Sequence, residues 1–93
     1  MVKSFRCKET AGIWSGQVSK RPPRAIQDRA LRKLRQLNAA VSLDDLRNPP
    51  SNCLEILKGN RKGQMSIRIN DQWRICFYWD NSEATDVEIV DYH

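Results

Sequence analysis

A chain of 93 residues, 40% hydrophobic and 29% charged, has the size and balance of one small globular unit spanning 1–93. No apolar run approaches the roughly 18 residues of a membrane-crossing helix, and Met1-Val2-Lys3-Ser4-Phe5-Arg6-Cys7-Lys8 lacks the apolar stretch of a secretory signal, so a cytoplasmic protein without a membrane partner is expected. Cys7, Cys53 and Cys76 are far apart and odd in number, and His93 is the only histidine, which argues against a disulfide framework, a structural zinc site or a catalytic metal. Any chemistry is then expected from side chains without a cofactor.

The net charge of +5 is unevenly spread. Residues 20–35 hold seven bases (Lys20, Arg21, Arg24, Arg29, Arg32, Lys33 and Arg35) against Asp28. Residues 58–74 hold five (Lys58, Arg61, Lys62, Arg68 and Arg74) against Asp71, whereas 80–91 hold five acids and no base. Two basic zones suit a polyanionic partner, with nucleic acid first in line; a solvated basic face without a ligand is the plainer alternative.

Val2 to Arg6 reads as a short edge strand, followed by a short helix around Glu9–Ser15 that Gly16 stops. Pro22 and Pro23 open the longest helix, 23–41, in which Ile26, Ala30, Leu34, Leu37 and Val41 recur at helical spacing and Leu31 widens the stripe. Arg24, Arg32 and Arg35 fall on its outer surface. Ser42-Leu43-Asp44-Asp45 looks like an N-cap with acids in a first turn, and that helix must end before Pro49-Pro50.

Beyond Pro50 the period becomes two. Met65, Ile67 and Ile69 alternate with Ser66, Arg68 and Asn70; Trp73, Ile75, Phe77 and Trp79 alternate with Arg74, Cys76 and Tyr78. Asn70-Asp71-Gln72 and Asp80-Asn81-Ser82 supply turns, and Asp86–Asp91 a last strand. The expected fold is α+β: an N-terminal strand, two to three helices, then a three-strand antiparallel meander forming one sheet, with the helices on one side. Strand parity points the large apolar residues toward the helices and puts Arg68 and Arg74 together on the open face near Lys58-Gly59-Asn60-Arg61-Lys62-Gly63; Cys76, inside an apolar strand-like run, reads as a buried free thiol. Keeping an exposed face soluble would account for those arginines equally simply.

The ending Val90-Asp91-Tyr92-His93 gathers three reactive side chains. An imidazole with an ordinary pKa of about 6.5 can give or take a proton near neutrality; a tyrosine can donate one, and an aspartate can orient the imidazole. RNA cleavage requires a base for the 2′-hydroxyl, an acid for the leaving 5′-oxygen and cations for the phosphate. Histidine or aspartate can serve as base, tyrosine or histidine as acid, and Lys58, Arg61 and Arg74 as phosphate donors. A solvated chain end is the competing reading of His93.

The run Leu57-Lys58-Gly59-Asn60-Arg61-Lys62-Gly63-Gln64-Met65-Ser66-Ile67-Arg68-Ile69-Asn70-Asp71-Gln72-Trp73-Arg74-Ile75-Cys76-Phe77 resembles the core signature of HigB-type toxins of the RelE/ParE superfamily, and Met1–Phe5 and Asp91–His93 match as well. The resemblance implies a RelE-type fold and a toxin of a type II toxin–antitoxin system that cleaves messenger RNA on the ribosome without a metal. It also implies inhibition by a HigA-like helix-turn-helix antitoxin, through which the complex binds its own operator DNA. By resemblance Lys58 and Arg74 face phosphate, and Asp91, Tyr92 and His93 form the catalytic group. Arg61, Lys62, Arg68, Arg24, Arg32 and Arg35 are the expected further RNA contacts. Some members carry a second histidine where this chain has Glu55, which leaves His93 the only imidazole. Two other readings stand beside this one: a ParE-like gyrase inhibitor, and a noncatalytic RNA- or ribosome-binding module. The basic outer face of the 23–41 helix is the expected antitoxin dock, in preference to a segment lying across Lys58, Arg74 and His93.

Overall fold

The computed structural model describes residues 1–17 and 22–91. Helix α1 is Lys8–Trp14 and α2 Arg24–Ala39; the strands are β1 Glu55–Ile56, β2 Met65–Arg68, β3 Trp73–Asp80 and β4 Glu83–Asp91. They form one antiparallel sheet in the order β1-β2-β3-β4. Among the described residues no helix is long and apolar enough to cross a membrane.

Local chemistry explains the boundaries. Gly16 takes φ +87°, and the amides of Gly16 and Gln17 donate to the carbonyls of Ile13 and Gly12 at 3.0 and 2.8 Å, closing the end of α1 in the left-handed conformation that glycine adopts without strain. Pro23 precedes the first helical residue of α2, and the buried Pro22 presents its carbonyl to Gln27 Nε2 at 2.7 Å. Helix α2 buries Ala30, Leu34 and Leu37, each 0% exposed, against Ile13 and the sheet residues Ile67, Ile75 and Phe77. Filling one continuous core from both helices and one sheet face is what holds so short a chain together.

After α2, a 3-10 turn over Leu43–Arg47 seats Leu46 in the core. Asp45 Oδ2 reaches back to accept the amides of Val41 (2.8 Å) and Ser42 (3.1 Å). Asn70 Oδ1 accepts from the amides of Gln72 and Trp73 at 2.9 and 2.8 Å and so shapes the β2–β3 turn. Asn81 and Ser82, both at positive φ, make the β3–β4 turn.

Four expectations change in detail. Val41 lies beyond α2 and is 69% exposed, because the backbone turns extended at Ala40 and carries it off the apolar stripe. The last strand begins at Glu83, not Asp86; a bulge lies between, with Asp86 at φ +50°, and this interrupts the alternation from which a strand start is read. Val2 and Phe5 make isolated parallel bridges to Ala84 and Val87 instead of a continuous strand. Finally, Glu55–Ile56 adds a fourth strand too short to show a period of two.

Candidate active site

The register builds the open face of the sheet residue by residue. Ser66 pairs with Cys76 and Glu55, and Cys76 with Glu88, so one row of side chains crosses all four strands. The neighbouring row is Arg68, Arg74 and Val90. Directly opposed residues share a face, and this face lies on the side away from Ile67, Ile75 and Phe77. The expected juxtaposition of Arg68 and Arg74 is present.

Arg74 is only 7% exposed. Its Nε donates to Ser66 Oγ at 2.7 Å, while Nη2 donates to the Cys53 carbonyl and, at 3.3 Å, to the Ser66 carbonyl. Its Nη1 stands 3.8 Å from Glu55 Oε1. The guanidinium therefore ties the segment before β1 to β2 and turns Nη1 toward a half-exposed carboxylate. An anion arriving at Nη1 would compete with Glu55 for it.

Arg61 lies across the same face: Nη1 donates to Gln64 Oε1 at 3.0 Å and to Glu88 Oε1 at 3.3 Å. Arg6 approaches Glu88 at 4.0 Å. Cys76 sits among these groups, fully buried, and burial pushes its thiol pKa up, an effect that the nearby arginines Arg61 and Arg74 oppose. A thiol so placed is a packing residue, as expected, and not a nucleophile.

The other expected site residues spread more widely. Lys58 and Lys62 are exposed in the β1–β2 connection, and neither makes an ion pair among the described residues. Arg68 pairs with Asp71 at the turn. Asp91 is paired in register with Trp73, so it takes the Trp73 side of the sheet and not that of Arg74; its Oδ2 accepts from Gln72 Nε2 at 3.2 Å. Tyr92 and His93 lie outside the described residues. Arg24, Arg32 and Arg35 are exposed on α2, beyond the opposite face of the sheet. Among the described residues, no group of three His, Cys, Asp or Glu side chains is placed to hold a metal.

Glu88, Gln64 and Ser66 belong to this face and were missed from sequence. Counting back in twos from Val90 would have found Glu88, since Val90 and Glu88 share the side of Arg74. Gln64 carries no such signal, because it precedes β2 in an irregular loop.

A four-strand antiparallel sheet with both helices on one face and a buried arginine bracing the other defines a small RelE-like toxin fold. The chain superposes on the toxin–antitoxin structure "YoeB-YefM complex from Staphylococcus aureus" with a TM-score of 0.61 at 15% identity, covering 100% of this chain and 98% of that one. The particular family is given by sequence. Residues 4–93 match the HigB-like toxin family, described as the RelE-like toxin of type II toxin-antitoxin system HigB, and the chain belongs to it. It is 49% identical over 62 residues to Toxin HigB-1 of Vibrio cholerae, a match spanning 67% of this chain and 65% of that protein. It is 32% identical over 93 residues, the whole of both chains, to the Endoribonuclease HigB of Proteus vulgaris.

Proposed function

We propose that this type II toxin is a ribosome-dependent endoribonuclease that cuts messenger RNA without a metal, in the cytoplasm, and acts as one domain over 1–93. The observation that carries the reading is the braced, nearly buried Arg74 on the helix-free face of the sheet, in a chain that aligns end to end with a relative named as an endoribonuclease. As a member of a toxin–antitoxin family it has an antitoxin partner; that this partner is HigA-like and carries the complex to operator DNA is part of the proposal.

In this reading a base removes the 2′-hydroxyl proton and the freed oxygen attacks the adjacent phosphorus. The bond to the 5′-oxygen breaks as an acid protonates it, leaving a 2′,3′-cyclic phosphate and a 5′-hydroxyl. Arg74 Nη1 and Lys58 meet the charge on the phosphate oxygens and His93 and Tyr92 divide the proton transfers, while Asp91, held by Gln72 on the other side of the sheet, anchors the strand end that carries them. Donors held in place before the reaction need little reorganisation during it, and the hydrogen bonds of Arg74 to Ser66 and Cys53 supply that rigidity. Arg61, Lys62 and Arg68 extend the cationic surface along the RNA.

Mapping transcript 5′ ends after a brief pulse of expression, with analysis of the product termini, tests this. Cuts within translated frames that leave cyclic phosphates, at equal rates with any divalent ion that preserves ribosomes, are expected. Ends bearing 3′-hydroxyls would point to metal-activated water, and DNA damage with intact messages to a gyrase poison.

A further inference from the structure

Arg29, Arg32, Lys33 and Gln36 recur at the three- and four-residue spacing that sets side chains in one stripe of a helix. Together they line a cavity of about 240 Å³ on α2. Lys33 is held in place there. Its Nζ donates to Oδ1 of Asn52, a residue 0% exposed in the 3-10 turn Pro50–Asn52. Asn52 Nδ2 donates in turn to the carbonyls of Leu46 (3.1 Å) and Asn48 (3.3 Å), so the amide has one orientation and the ammonium a fixed anchor.

Burial, then the charges of Arg29 and Arg32, lowers the Lys33 pKa. Among the described residues no carboxylate lies within ion-pair distance of any of the three cations. Cations gathered around one cavity without a counter-ion repel one another until an anion arrives. RNA or protein could supply that anion, and Gln36 separates the two. Its Nε2 donates to the Asn48 carbonyl, which can only accept, so Oε1 is the atom the amide offers to an arriving group. A phosphodiester has no donor for that oxygen, whereas a polypeptide brings carboxylates and N–H groups together. The partner that family membership gives this chain is a protein, the antitoxin.

We propose that this cavity is a carboxylate seat for the antitoxin. An acidic side chain of the partner accepts from Arg29, Arg32 and Lys33, while a neighbouring N–H of the same segment donates to Gln36 Oε1. The seat is a point of affinity, distinct from the general attraction of a basic helix. It rests on membership of the family and not on the ribonuclease reading.

Association and dissociation rates of the full-length toxin with its co-expressed antitoxin test it, together with the Lys33 side-chain pKa measured by NMR in the free and bound toxin. Arg29→Gln, an exposed change that breaks no hydrogen bond of the fold, and Lys33→Gln should each raise the dissociation rate about tenfold or more, with little change in association, as when a seated ion pair is lost. Lys8→Gln, which removes the same charge from α1, should leave dissociation unchanged. A carboxylate beside Lys33 should raise its pKa in the complex above that of the free toxin. Slower association with unchanged dissociation would make the stripe a steering surface only and overturn the seat. So would a Lys33 pKa that does not rise, or an equal effect of Lys8→Gln. Weakened ribosome binding with intact antitoxin kinetics would assign the stripe to RNA instead. Cleavage of ribosome-bound message by the same variants reports on the ribonuclease reading separately.

Discussion

Burying a guanidinium costs a great deal unless its N–H groups are matched, and Arg74 is matched by Ser66 Oγ and the carbonyls of Cys53 and Ser66. One side chain is therefore both a brace and a candidate phosphate donor. Arg74→Ala should destabilise the fold by about 2–4 kcal/mol, because it leaves buried acceptors unpaired, and its effect on cleavage is mixed with that loss. Arg74→Lys separates the two roles. A lysine keeps the charge but cannot reproduce the planar fork, so the expected outcome is a folded protein whose cleavage rate falls about 10²–10³-fold, the usual loss for one transition-state donor. Thermal unfolding and single-turnover cleavage measured on the same preparation check this; a wild-type rate would show Arg74 to be a brace alone. His93→Ala offers a cleaner contrast at the other end of the chain. It should leave the melting temperature unchanged and reduce cleavage of ribosome-bound message about 10²–10⁴-fold, the usual contribution of general acid–base catalysis.

Among the elements, the 3-10 turn over Leu43–Arg47 shows how one carboxylate holds a junction. The amide of Val41, then that of Ser42, lowers the Asp45 pKa, against the smaller opposing effect of burial. A carboxylate whose folded pKa is depressed contributes stability above its unfolded pKa, about 3.9, and loses it as the pH falls through the lower folded value. Asp45→Ala should thus lower the melting temperature at neutral pH, and its difference from wild type should narrow from about pH 4 downward. A pH-independent difference would mean that the carboxylate charge plays no part. Helix α2 displays the opposite economy of charge. Arg29 and Arg32 add to burial in lowering the Lys33 pKa, so this face repels itself in the absence of a polyanion. The charge pattern of the helix was plain in the sequence, as was its apolar stripe through Leu37. Its end was not, since Val41 continues the spacing and only the extended backbone at Ala40 removes it.

Taken whole, the molecule carries its arginines on opposite sides of one core: Arg61 and Arg74, paired with Glu88 and Glu55 on the helix-free sheet face, and Arg24, Arg32 and Arg35 on the outer face of α2. Among the described residues no acid makes an ion pair with Arg24, Arg32 or Arg35. We propose that the helix face receives the acidic surface of the antitoxin and leaves the sheet face open. Reversing all three arginines to Glu should weaken antitoxin binding and flatten its salt dependence, while cleavage of ribosome-bound message is retained. Unchanged antitoxin affinity with weakened ribosome binding would make α2 an RNA surface alone.

The sequence by itself determined the α+β class, the two helices, the parity that sets Arg68 beside Arg74, and the burial of Cys76. The first three follow from a period or a turn signal carried by a few neighbouring residues, and the last from the apolar run around Cys76. Only the tertiary structure decided that Arg74 is clamped by Cys53 and Ser66, that Glu88 sits between Arg61 and Arg6, and that Asp91 takes the Trp73 side of the sheet. Those relations depend on strand register, on the bulge at Asp86 and on the path of irregular loops. Long-range packing sets them, and no local pattern records it.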